Sequence, residues 1–249
     1  GLGVWSGYTS LALDGGGNPH ISYYDGTDGT LKYAPWTGSA WDIQTVDTSG
    51  DVGLYTSLVL DGSGFPHVSY YDDARGDLKY AHWTNGVWDI QIVDSTGDVG
   101  AYTSMALDGA GNPHISYYDS TRGDLKYAHW TGSAWVSETV DSSGDVGTYS
   151  SLALDGGDNP HISYYDDTGD NLKYARWIGT WDIYTLDSGG NVGKYTSLAL
   201  DGDDHFYISY YDDTDDDLKL AYQAGAALVI EGVDTSGDVG SYTSLALDG

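Results

Sequence analysis

The sequence predicts an all-β protein built from five four-stranded antiparallel units, and three observations carry that prediction. First, the segment Tyr-Thr/Ser-Ser-Leu, with Met105 for Leu in the third copy, begins at Tyr8, Tyr55, Tyr102, Tyr149, Tyr195 and Tyr242, giving spacings of 47, 47, 47, 46 and 47 residues. Self-similarity at such a period marks a repeat architecture and has to be recognised before any single element is interpreted. Second, turn residues divide each unit into four short segments. Third, nothing sustains a helical period near 3.6, and glycine occurs 36 times in 249 residues.

The third unit shows each element in order. Tyr102 to Leu107 is a first strand, closed by the turn Asp108-Gly-Ala-Gly-Asn-Pro113. A second strand, His114 to Asp119, ends at Ser120-Thr-Arg-Gly123, and a third, Asp124 to Trp130, ends at Thr131-Gly-Ser-Ala134. A fourth strand, Trp135 to Asp141, leads through Ser142-Ser-Gly-Asp-Val-Gly147 into the next unit. Every link is rich in residues that tolerate positive φ or pre-set a turn. Four antiparallel strands every 47 residues match the blade of a β-propeller. The expected blades are 8–54, 55–101, 102–148, 149–194 and 195–241 of a single propeller domain, with 242–249 as a closing strand. The first strand occurs six times and the others five. Either the terminal copies compete to close the ring, or the natural chain continues past Gly249.

Charge narrows the partners. Nine Lys and Arg against 38 Asp and Glu give a net charge of −29. Nucleic acid is therefore not expected as a partner, because phosphate binding needs clustered cations. Membrane insertion is not expected either, since no stretch approaches 18 apolar residues. Gly1-Leu2-Gly3-Val4-Trp5 shows no basic or apolar leader region, and a start at Gly reads as a processed chain. Cysteine is absent, which removes disulfides, thiolate metal sites and cysteine nucleophiles.

The pattern of first strand, Asp-Gly-x-Gly turn, second strand, Gly-Asp-Leu-Lys-Tyr third strand and Trp-led fourth strand resembles five-bladed lectin propellers of the tachylectin type, and more loosely the fungal fucose-lectin propellers. The Asp-box of sialidases, Ser-x-Asp-x-Gly-x-Thr-Trp, is absent. The resemblance implies multivalent sugar binding at one shallow pocket per blade or blade junction.

Candidate ligand groups repeat with the blades. Trp36, Trp83, Trp130 and Trp177 end the third strands, and Trp41, Trp88, Trp135 and Trp181 open the fourth, while the fifth unit has Gln223 and Leu228 there. Aromatic platforms beside polar groups bind the C–H faces of sugars, and the same tryptophans serve equally as packing between blades. Lys32, Lys79, Lys126, Lys173 and Lys219 each follow Leu in the third strand, and a same-blade partner such as Asp25, Asp72, Asp119, Asp166 or Asp212 is expected. His20, His67, His114 and His161 open the second strands and read as residues hydrogen-bonded to a nearby loop. The Tyr-Tyr pairs, as at Tyr70-Tyr71, should point to opposite neighbours, because adjacent strand residues face opposite sides.

Aspartate supplies nearly all the acid and suits turns by bonding its own backbone. Oxygen-rich loops are also what Ca²⁺ takes, and Asp212, Asp213, Asp215, Asp216 and Asp217 form the best single candidate for a metal site. No cofactor is required by the sequence.

Five near-copies of one residue set make similar pockets rather than one catalytic centre, so the sequence predicts no enzyme. The only glutamates, Glu138 and Glu231, fall in different units and make no acid–base pair. The expectation is a secreted or cell-surface propeller that binds glycans or glycoconjugates multivalently. A structural or adhesive module, joined to further propeller or surface-assembly domains, is the alternative.

Overall fold

A computed structural model describes residues 8–248. It contains twenty strands and no helix among those residues. They form five four-stranded sheets, each a consecutive antiparallel meander, and the chain is a five-bladed β-propeller. Blade 1 consists of β1 (Thr9–Leu13), β2 (Pro19–Asp25), β3 (Thr30–Pro35) and β4 (Gln44–Asp47); blade 2 of β5 (Val52–Leu60), β6 (Pro66–Asp72), β7 (Asp77–Thr84) and β8 (Val87–Asp94). Blade 3 has β9 (Val99–Leu107), β10 (Pro113–Asp119), β11 (Asp124–Trp130) and β12 (Trp135–Asp141). Blade 4 has β13 (Val146–Leu154), β14 (Pro160–Asp166), β15 (Asn171–Trp177) and β16 (Trp181–Asp187); blade 5 has β17 (Val192–Leu200), β18 (Phe206–Asp212), β19 (Asp217–Ala224) and β20 (Ala227–Asp234). The chain divides into two compact units, one of residues 1–115 and 128–137, the other of 116–127 and 138–249.

The inner strands begin earlier than the sequence pattern suggests. Val146 and Gly147 read as loop, yet β13 starts at Val146, and two register shifts separate Val146, Thr148 and Ser151 in its pairing with β14. Tyr149 sits at φ 55° in this bulge, and Tyr55 and Tyr195 repeat the conformation at 52° and 57°. A bulge breaks the period-2 alternation on which strand reading depends, so the extra residues escape notice. Gly147, at φ 109°, lies so close to β11 that an added Cβ would stand 2.7 Å from the Leu125 Cα.

Within the first unit, the core between blades 1 and 2 is Leu31, Tyr33 and Val46 from one sheet against Leu58, Val68, Tyr70 and Ala81 from the next. Within the second unit, Leu172, Tyr174 and Val192 meet Leu198, Phe206, Ile208, Tyr210 and Ala221. The same positions of the repeat meet in both cases, so the repeat's apolar residues form a junction between sheets. Second-strand hydroxyls bond the inner strand of the following blade, as in Ser22 to Thr56 at 2.8 Å, Ser69 to Thr103 at 2.7 Å and Ser163 to Thr196 at 2.7 Å. All these polar atoms are buried and paired, as burial requires.

Among the described residues, no sheet strand follows β20. Tyr242–Asp248 is held on blade 5 by Thr243 Oγ1 donating to Ser209 Oγ at 2.7 Å and by Leu245 N donating to Ser197 Oγ at 3.0 Å. These are the bonds that an inner strand makes to the blade before it.

Candidate functional site

The periodic lysines build a joint between blades. Lys79 Nζ lies 2.6 Å from Asp47 Oδ2 of the preceding blade and 3.4 Å from Asp72 of its own. Tyr70 Oη donates to the same Asp47 oxygen at 2.7 Å. In the second unit Lys173 and Tyr164 converge on Asp141 Oδ2 at 2.5 and 2.8 Å. The expected same-blade pairing is thus half of the arrangement. For Lys79 and Lys173 the closer partner is the last residue of the previous blade, which a contact between distant chain segments supplies, whereas Lys219 lies 2.7 Å from Asp212 of its own blade and 3.6 Å from Asp187 of the previous one. Burial alone would raise the Asp141 pKa, but hydrogen bonds from Lys173, Ser143 and Tyr164 outweigh it and hold the group at about 2. The neighbouring tyrosine faces the other way: Tyr71 Oη donates to Asp98 in the next linker at 2.5 Å, as expected for adjacent strand residues.

The histidines are likewise part of the frame. His67 Nδ1 and His161 Nδ1 each lie 2.5 Å from a third-strand tyrosine hydroxyl, Tyr80 and Tyr174, and His20 pairs with Tyr33 in the same way. Burial lowers the His67 pKa to about 4, with His82 adding to the effect and Asp61 opposing it. It also lowers that of His161.

In blades 2 to 4, one tryptophan of each pair has a structural task. Trp88 packs edge-on against Tyr33 of the previous blade at 5.3 Å, Trp135 against Tyr80 at 5.2 Å and Trp181 against Tyr127 at 5.4 Å. Trp135 Nε1 donates to Gln91 Oε1 at 2.9 Å, and Trp181 Nε1 to Glu138 Oε1 at 3.0 Å. Trp36, Trp83, Trp130 and Trp177 lie edge-to-face on Trp41, Trp88, Trp135 and Trp181 at 5.4 to 5.6 Å.

The aspartates are engaged by protein donors. Asp212 pairs with Lys219 at 2.7 Å and accepts the Thr214 and Asp215 backbone N–H groups. Asp213 accepts from Lys194 and Asn191, and Asp216 from Tyr211. Asp215 and Asp217 sit in and after the same turn. No group of three His, Asp or Glu among the described residues is placed to hold a metal ion.

A cleft of about 510 Å³ opens between blades 4 and 5, within the second unit. Trp177 and Ile178 supply its apolar wall, Arg176, Asn159, His161 and His205 its donors, and Asp155, Asp203 and Asp204 its carboxylates. Gln223 lines it at the position where blades 1 to 4 carry the first tryptophan. Leu228 stands where Trp88, Trp135 and Trp181 pack on a tyrosine of the previous blade.

Two aspartate turns frame this cleft. Asp155 Oδ1 accepts the Gly157 and Asn159 backbone N–H groups at 2.8 Å, and Asp201 Oδ1 accepts that of His205 at 2.9 Å. Gly156 N donates to Asp204 Oδ1 at 2.9 Å, linking the turns. Arg176 is held by Asp182 at 3.1 Å and by Tyr184 Oη at 2.9 Å, and these partners outweigh burial to keep it charged. The result is a fixed cation and several neutral donors beside an aromatic face. Sequence reading registered Gln223 and Leu228 only as a loss, and His205 stands outside the period of His20, His67, His114 and His161. Arg176, which replaces the histidine of blades 2 and 3, gave a signal of the same kind: departure from the repeat.

No family model and no curated protein matches the chain. Its fold is that of solved propellers. An ulvan lyase of polysaccharide lyase family 25, bound to -[GlcA(1-4)Rha3S]-, is 15% identical with a TM-score of 0.63, over 90% of this chain and 69% of that one. The fucose-specific lectin of Aleuria aurantia is 15% identical with a TM-score of 0.61, over 92% and 78%. A Hadza microbial sialidase is 13% identical with a TM-score of 0.61, over 92% and 58%. The fold likeness thus reaches the fucose-lectin propellers, while the tachylectin-type resemblance rests on the sequence pattern. The lyase and the sialidase also overturn the expectation that the chain is no enzyme. Repetition argued against one catalytic centre, but a propeller can place unique residues at one junction, as the cleft between blades 4 and 5 does here.

Proposed function

We propose that the chain binds carbohydrate, and that its site is the cleft between blades 4 and 5. The observation that carries this reading is the meeting there of an indole face, Trp177, with a fixed guanidinium, Arg176, and the neutral donors Asn159 and Gln223. A sugar ring offers an apolar C–H face and a rim of hydroxyls, and such a wall takes both at once. Three similar propellers are named for carbohydrates, which supports the same class. The carboxylates Asp155, Asp203 and Asp204 and the net charge of −29 favour a neutral glycan over a sulfated or uronic one. Multivalency in this reading would need a second such cleft, and in blades 2 and 3 the second tryptophan of each pair is engaged in packing.

The test is a glycan screen followed by calorimetric titration of the best neutral ligand, with the products assayed for cleavage. Arg176→Ala is expected to weaken binding tenfold or more through the loss of about one charge-assisted hydrogen bond, and Trp177→Ala by a similar factor through the loss of the apolar face. Unchanged affinity in both variants contradicts the site. Cleavage of the ligand would make the same cleft an active site.

A further inference from the structure

The cleft between blades 4 and 5 holds more negative charge than its own cations balance. Arg176 lies 3.1 Å from Asp182, His161 Nε2 lies 3.5 Å from Asp155 Oδ2, and His205 Nδ1 lies 3.2 Å from Asp201 Oδ2. Burial, opposed by Asp155 and Asp204, lowers the His161 pKa, so that ring carries no charge near neutral pH. Asp203 and Asp204 are left over. Both are exposed, and among the described residues neither forms an ion pair; Asp204 accepts the uncharged Gly156 N–H at 2.9 Å. No lysine lines the cleft.

Comparison with the other blades marks these carboxylates as additions. They stand third and fourth in the turn that begins at Asp201, where blades 1 to 3 have Gly16-Gly17, Ser63-Gly64 and Ala110-Gly111. Gly17, Gly64 and Gly111 are at φ 77°, 82° and 83°, and Asp204 takes the same left-handed conformation at 63°. Glycine adopts that conformation most readily, so aspartate in its place adds backbone strain and gains a carboxylate, a pattern that gathers at ligand sites. Blade 4, across the cleft, makes the same exchange at Asp158, at φ 62°.

Two unbalanced carboxylates beside the indole of Trp177 suit a positive charge carried on a sugar ring. An ammonium group has three donors, forms strong hydrogen bonds to carboxylates and is attracted to an indole face. The chain's charge of −29 also draws such a ligand in. An N-acetylated sugar offers one uncharged amide N–H in the same place. We propose that the cleft, taken as the sugar site on the preceding reading, selects an amino sugar with a free, protonated amine. Its ammonium meets Asp203 and Asp204, and its hydroxyls meet Arg176 and Asn159.

Calorimetric titration with a glucosamine tetramer, its fully N-acetylated counterpart and tetralysine, at a pH below the sugar amine's own pKa, tests it. The parent chain should bind the free-amine sugar roughly tenfold more tightly than the acetylated one, and the gap should narrow as NaCl rises from about 0.05 to 0.5 M. Tetralysine, which carries the charge without the ring, should bind more weakly than the free-amine sugar. The double variant Asp203→Ala/Asp204→Gly gives blade 5 the Ala110-Gly111 turn that blade 3 already folds, so it should keep the melting temperature while the gap falls below about twofold. Equal affinity for the two sugars, with Arg176→Ala still weakening both, overturns the inference and leaves the cleft a sugar site. A gap that survives in the double variant, or tetralysine binding as tightly as the free-amine sugar, overturns it as well. Binding of neither sugar by the parent chain overturns it together with the reading on which it rests.

Discussion

At the residue scale, the position of a lysine in the array decides its worth. Lys173 is buried with Asp141, and removing one member of a buried pair leaves an uncompensated charge. Lys173→Met should therefore destabilise by about 3 kcal/mol, whereas Lys32→Met, on a half-open face, should cost under about 1 kcal/mol; urea melts of the two variants check the contrast. The acid limb should change as well. Asp141 has a folded pKa of about 2, below its ordinary value of 3.8. Its contribution is present above the ordinary value and is lost as pH falls from about 4 towards 2. In Lys173→Met this window should shrink from its acid side, since the pKa moves back up. The sequence made the lysine period obvious but not its partner, because Asp141 and Lys173 lie 32 residues apart and meet only when sheets stack.

The four strands of each element were legible from turn residues and spacing. What escaped was the bulged start of the inner strand, where Val146 and Gly147 look like loop but pair with the second strand. Close approach explains why glycine stands there. Gly147→Ala would set a Cβ against the Leu125 backbone at positive φ, whereas Gly38→Ala, also at positive φ, meets nothing within 4 Å. The first should lower stability by well over the roughly 1 kcal/mol backbone cost that both share, and thermal melts of the pair separate clash from strain. The candidate site was harder to see for an opposite reason. It arises where the element departs from its pattern, at Arg176, His205 and Gln223, and a repeat makes such positions look like decay rather than design.

For the whole molecule, the acidic excess is a surface property set against a core of repeated tyrosine, leucine and isoleucine. A charge of −29 repels itself, and salt screens that repulsion. Raising NaCl from about 0.05 to 0.5 M should raise the melting temperature, over the range in which the Debye length shortens most; a fall would mean that the exposed ion pairs outweigh the repulsion. The charge balance and the repeat were both readable in the sequence. The division of labour was not: near-identical residues hold the blades together, and the cleft between blades 4 and 5 lies beside the blade that lost them. That claim is tested most directly by repairing the repeat. Gln223→Trp, alone and with Leu228→Trp, should keep the melting temperature at or above that of the parent chain and abolish glycan binding measured by calorimetry. A repaired chain that binds as tightly as the parent would contradict the account.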